Sequence, residues 1–125
     1  MSVTVLVADD SPAFRRALGE LVDAESGFEL VGDAEAAEEV VPLVEQLHPG
    51  LVLLDLRIGS ADGLETAAEL AALDDPPFVA VVTASDVGLL EPRARAVGAV
   101  MLDKRRLRPG VLEQVWTAQR PAAVH

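Results

Sequence analysis

Short continuous apolar runs alternate along this chain with segments whose apolar residues recur every three or four positions. The runs are Val3 to Ala8, Phe28 to Gly32, Leu51 to Leu54, Phe78 to Val82 and Ala99 to Leu102. The second alternates with polar residues, as an edge strand does. The runs at Leu51 and Phe78 are apolar throughout, as in strands buried on both faces. Between the runs, Phe14, Ala17, Leu18, Leu21 and Val22 fall at helical spacing. So do Leu64, Ala67, Ala68 and Ala71. Ser11-Pro12 supplies a cap and a first helical position for the first helix. A second helix over Glu35 to Leu47 turns Val40, Leu43, Val44 and Leu47 inward. Pro42 makes it start late or bend. A fourth helix lies between Asp86 and Val97, weakened by Gly88 and Pro92. A fifth opens at Pro109 and carries Val111, Leu112, Val115 and Trp116. Gly27, His48-Pro49-Gly50, Asp74-Asp75-Pro76-Pro77 and Gly98 are breaks, and Leu56 to Gly63 reads as a loop. His48, alone at a helix end, reads as a surface residue.

Five repeats of strand then helix imply an α/β fold, a parallel sheet covered by helices on both faces through right-handed crossovers. The doubly wound, flavodoxin-like (βα)5 order 2-1-3-4-5 is the usual solution, with its crevice between strands 1 and 3. Those strands end in Asp9-Asp10 and in Asp55.

At 125 residues the chain fits one domain, read as 1–119 with a frayed tail at 120–125. Hydrophobic residues make up 50% but aromatics only 3%, so the core is built of small aliphatics. No run is long enough to span a membrane. The start lacks the features of a signal peptide. Cysteine is absent, which removes disulfides and thiolate metal sites. A cytoplasmic location is expected. The formal net charge of −11 argues against direct nucleic-acid binding and suits a site that gathers carboxylates around a cation. Six of the ten basic residues nevertheless sit between Arg93 and Arg108. They form either a solvated surface or a basic contact face.

The topology converges Asp9, Asp10, Asp55, Thr83 and Lys104. Three adjacent carboxylates resist ionising together, and a hard divalent cation resolves this. Lysine would act as a point charge on an anion and the threonine hydroxyl as a donor. Together these groups suit phosphoryl transfer to a carboxylate nucleophile. The plain alternative is a structural network of ion pairs.

Val5-Leu6-Val7-Ala8-Asp9-Asp10-Ser11-Pro12, Leu53-Leu54-Asp55-Leu56-Arg57, Asp62-Gly63-Leu64-Glu65, Val82-Thr83-Ala84 and Lys104 resemble the receiver domain of bacterial two-component response regulators. The closest likeness is to receivers of the LuxR-type class. The resemblance covers nearly the whole chain in order. It implies that Asp55 is the phosphoacceptor and that Asp10 binds Mg²⁺ (or Mn²⁺) directly. Asp9 would bind the metal largely through water, and Arg57 through its backbone carbonyl. Thr83 and Lys104 would contact the phosphoryl group. Departures are local. Gly59 stands where the family usually has proline, and Arg105 follows the lysine in place of proline. No aromatic lies between Gly98 and the lysine, where the family's switch aromatic usually stands; Val100 and Met101 occupy that region.

The expected function is a phosphorelay receiver, stand-alone, that signals through protein contacts and catalyses only its own aspartyl phosphorylation and dephosphorylation. Expected partners are a sensor histidine kinase or phosphotransfer protein. A homodimer through the fourth helix, last strand and fifth helix is a further expectation, with neither nucleic acid nor membrane engaged. One alternative is a haloacid dehalogenase-like phosphatase, although this chain lacks that class's D-x-D motif. Another is an atypical receiver acting as a phosphorylation-independent binding module. Leu51 to Asp55 also mimics a Walker B strand, but without a G-x-x-x-x-G-K-[ST] loop.

Overall fold

The computed structural model describes residues 2–85 and 87–118. In chain order the elements are β1 (Val3–Ala8), α1 (Pro12–Ala24), β2 (Phe28–Ala34), α2 (Val40–Leu47), β3 (Leu51–Asp55), β4 (Arg57–Ile58) and β5 (Ala61–Asp62). They continue with α3 (Gly63–Ala71), β6 (Phe78–Thr83), α4 (Val87–Ala96), β7 (Val100–Asp103) and α5 (Val111–Ala118). The main sheet runs β2-β1-β3-β6-β7, with every pairing parallel. With the small β4–β5 hairpin set aside, this is the expected 2-1-3-4-5 order. The carboxyl ends of β1 and β3 lie side by side, Ala8 opposite Leu54.

Strand alternation divides the core in two. Leu6, Ala8, Val52, Leu54, Val79 and Val81 face α2, α3 and α4. Val5, Val7, Leu51, Leu53, Ala80 and Val82 face α1 and α5. All five residues of β3 are buried, so it is the central strand its apolar run predicts. Burial of each large aliphatic side chain contributes about 1.5–3 kcal/mol.

The helices begin and end for local reasons. Ser11 caps α1 by accepting from the Phe14 amide at 3.3 Å, and Pro12 occupies the first position. A 3-10 turn at Ala37–Glu39 precedes α2, which therefore starts late, as Pro42 requires. Pro42 falls in the first turn, where an amide has no intrahelical partner to lose. His48 is exposed and closes α2 in the left-handed conformation, φ 51°. The start of α5 is capped from far away. The buried Glu25 carboxylate accepts from the amides of Leu112 (3.2 Å) and Glu113 (2.8 Å).

Several details differ from the sequence reading. Residues 56–63 are more than a loop, because Arg57 pairs with Asp62 and Ile58 with Ala61. Ile58 is fully buried under that hairpin. Strand β2 runs two residues past Gly32, and the last strand is Val100–Asp103 rather than Ala99–Leu102. Helix α5 begins at Val111, since Pro109 and Gly110 form the preceding turn. Ala17, Ala68 and Ala71 are exposed, and the inner face of α3 uses Thr66 and Leu70 instead. Asp86, expected to start the fourth helix, and the tail 120–125 lie outside the described residues.

Candidate functional site

Asp9 and Asp10 follow β1, and Asp55 is the last residue of β3. Their carboxylates share one crevice, with ligand oxygens all within 4.8 Å of one another. Asp9 and Asp55 are buried and Asp10 is exposed. Lys104 opens a short 3-10 turn after β7 and reaches back across the sheet edge. Its Nζ lies 3.4 Å from Asp55 Oδ1 and 3.9 Å from Asp9 Oδ2. Asp55 Oδ1 also accepts from the Arg57 amide at 3.3 Å. Asp9 Oδ1 accepts from the Ser11 amide at 2.8 Å, whereas Asp9 Oδ2 is buried without a hydrogen-bond partner.

The electrostatics follow. Burial pushes the Asp9 carboxyl above its ordinary value. The Ser11 amide works against this, the Asp55 charge adds to it, Lys104 opposes it and Asp10 adds to it. An oxygen-rich pocket with an orphaned buried carboxylate oxygen has the donor set of a hard divalent cation. The residues present therefore fit such an ion.

The remaining expected residues are placed less directly. Thr83 ends β6 beside Asp103, one strand away from Asp55. Its hydroxyl donates to the Ser85 carbonyl (3.1 Å) and accepts from the Ser85 amide (3.4 Å), not from the acidic cluster. The Arg57 side chain is exposed, and its backbone opens the β4–β5 hairpin next to Asp55. Met101 sits three residues before Lys104 and lines an open groove of about 430 Å³ with Val87, Leu102, Arg106, Arg108 and Val111.

Three site features escaped the sequence reading. Gly63 packs so closely under β3 that a Cβ there would overlap the Asp55 carbonyl oxygen. Its signal in the sequence is the Asp62-Gly63 pair, a small residue directly after a helix cap. Asp62 caps α3 through the Leu64 amide at 2.9 Å and binds Arg93 of α4 at 3.0 Å. Phe14 lies under the Lys104 ammonium, 4.1 Å from Nζ to the ring centre. No local pattern announces the Asp62–Arg93 and Phe14–Lys104 contacts, because those partners are far along the chain.

Residues 5–107 match the sequence profile of the response regulator receiver domain. The chain belongs to that family. This receiver domain is 36% identical over 124 residues to the positive alginate biosynthesis regulatory protein of Pseudomonas aeruginosa, covering 98% of the chain and 49% of that protein. It is 38% identical over 96 residues to the transcriptional regulatory protein PdtaR of Mycobacterium tuberculosis, covering 77% and 46%. The chain thus spans about half the length of these relatives. Among solved structures, the response regulator domain of Thermotoga maritima CheB superposes with a TM-score of 0.84 at 24% identity, covering 96% of this chain and 98% of that one. That likeness establishes the shared fold. Neither the phosphatase nor the phosphorylation-independent alternative is favoured by these matches. No helix among the described residues is long and apolar enough to cross a membrane.

Proposed function

We propose that this receiver takes a phosphoryl group on Asp55 and catalyses no other turnover. The observation that carries the proposal is Lys104 Nζ lying between Asp55 Oδ1 and Asp9 Oδ2, the latter a buried carboxylate oxygen without a hydrogen-bond partner. An Asp55 oxygen forms a bond to phosphorus as the donor's bond to phosphorus breaks, and the electron pair leaves with the donor. Asp9, Asp10, Asp55 and the Arg57 carbonyl would hold Mg²⁺, which when bound offsets phosphoryl charge. Lys104 supplies a fixed positive charge beside Asp55. The Arg57 amide orients the acceptor carboxylate. The Thr83 hydroxyl, now turned to Ser85, is the donor that shifts onto the phosphoryl oxygen.

The donor is a phosphohistidine on a sensor kinase or phosphotransfer protein, and the domain works in the cytoplasm as one unit over residues 1–119. Output runs through α4, β7 and α5, to a partner or a second copy, without contact to nucleic acid. The sequence relatives, a biosynthesis regulator and a transcriptional regulator, support a regulatory output. Intact-mass measurement after a small phosphodonor with Mg²⁺ tests the assignment. Wild type should gain one acid-labile phosphoryl group and Asp55→Asn none; labelling of that variant would refute the acceptor.

A further inference from the structure

A lysine ammonium is a compact, strongly hydrated charge on a flexible stem. The Lys104 side chain is only 24% exposed, so much of its water is gone. Two carboxylates compensate, 3.4 Å and 3.9 Å away. The Phe14 ring also presents its face 4.1 Å from Nζ, where the negative quadrupole attracts a cation. The ring itself is held. Phe14 stands in the first turn of α1, its amide donates to the Ser11 hydroxyl oxygen, and its side chain packs against the cluster that contains Leu18 and Leu102. Ser11 in turn donates its amide to Asp9 Oδ1. The contacts close a circuit from Asp9 through Ser11, Phe14 and Lys104 back to Asp9.

We propose that Phe14 is a positioning residue that fixes the Lys104 ammonium over Asp55. This rests on the reading of Asp55 as phosphoacceptor. The ring does not touch the reacting atoms; it limits where the lysine can go, so that its charge is in place before the phosphoryl group arrives. An aliphatic residue fills similar space but offers no quadrupole.

The test compares wild type, Phe14→Leu and Phe14→Tyr, each also in a Lys104→Met background. Two readouts are taken: the Asp55 labelling rate with acetyl phosphate and Mg²⁺, and the proton shift of the Lys104 ε-methylene in metal-free protein. Phe14→Leu should slow labelling about three- to tenfold, and Phe14→Tyr should restore it. In the Lys104→Met background, Phe14→Leu should make no further difference. The ε-methylene should carry an upfield ring shift in wild type and Phe14→Tyr that Phe14→Leu loses. Wild-type labelling speed in Phe14→Leu would overturn the proposal, as would an equal loss in folded Phe14→Tyr or an undiminished effect without Lys104. If wild type takes no label, the acceptor reading falls and the positioning role falls with it. Normal wild-type labelling with an insensitive Phe14→Leu removes the positioning role alone.

Discussion

Asp9 Oδ2 has neither solvent nor a hydrogen-bond donor. A carboxyl whose pKa is raised on folding binds its proton more tightly in the folded chain. Stability is therefore lost as pH rises from the ordinary value of 3.8 through the raised folded value, and the penalty is complete above it. Asp9→Asn should accordingly raise the melting temperature of the metal-free protein at pH 7 and leave it unchanged below both values. Mg²⁺ should stabilise wild type more than the variant. A variant that melts lower at neutral pH would contradict this account. Asp9, Asp10, Asp55 and Lys104 were legible in the sequence because each closely follows an apolar run, and strand ends of a parallel sheet share one edge. Phe14 was legible only as a core residue. Its second contact, with a lysine ninety positions on, depends on how α1 lies against β7 and leaves no local trace.

At the level of elements, helix faces were readable where large aliphatics mark them and unreadable where alanine does. Alanine is tolerated on either side, so Ala17, Ala68 and Ala71 fell on the wrong face while Leu18, Val22 and Leu64 are buried as read. The tie between α1 and α5 was invisible for another reason. Glu25 looks like any surface glutamate until its carboxylate meets two amides of α5. Glu25→Ala strands the buried Leu112 amide and the partly buried Glu113 amide and should cost about 1–3 kcal/mol in urea unfolding, with little change in slope. The Asp62–Arg93 contact links α3 and α4 differently. Burial alone would raise the Asp62 carboxyl, but hydrogen bonds from Arg93 and the Leu64 amide, with the nearby arginine charges, hold it below 3.8. The contact is thus fully formed above that pH and lost as pH falls through the lower folded value. Both partners are partly exposed, so Arg93→Met should change global stability by less than about 1 kcal/mol. Faster amide exchange confined to α4 should reveal the loss, and the difference from wild type should vanish once Asp62 is protonated. Equal exchange at neutral pH would show that the pair restrains nothing.

Across the whole molecule, an acidic body carries one basic patch, and the structure sorts its members. Lys104, Arg93 and Arg105 are bound to Asp55, Asp62 and Asp103. Arg95, Arg106 and Arg108 are exposed and make no salt bridge among the described residues. Arg93, an obvious candidate for reversal from sequence, is therefore a poor probe of association. Changing Arg95, Arg106 and Arg108 together to Glu should weaken self-association or partner binding while Asp55 labelling persists. Sedimentation and mass measurement on that variant decide the matter. Unaltered association, with contacts mapping to Arg16, would place the interface on α1 instead. The two halves of the core also differ in grip. Helices α1 and α5 are stapled to each other by Glu25, whereas α4 buries only Ala94, leaves Leu89 79% exposed and contains Pro92. In terms of time, the domain has two clocks. Weakly gripped α4 should open and reclose on its own, below the cost of the global unfolding that exposes the sheet with α1 and α5, and amide exchange of the two regions checks this. A partner that reads α4 would then sample the average of many short visits, and its response would be graded by how long α4 stays docked.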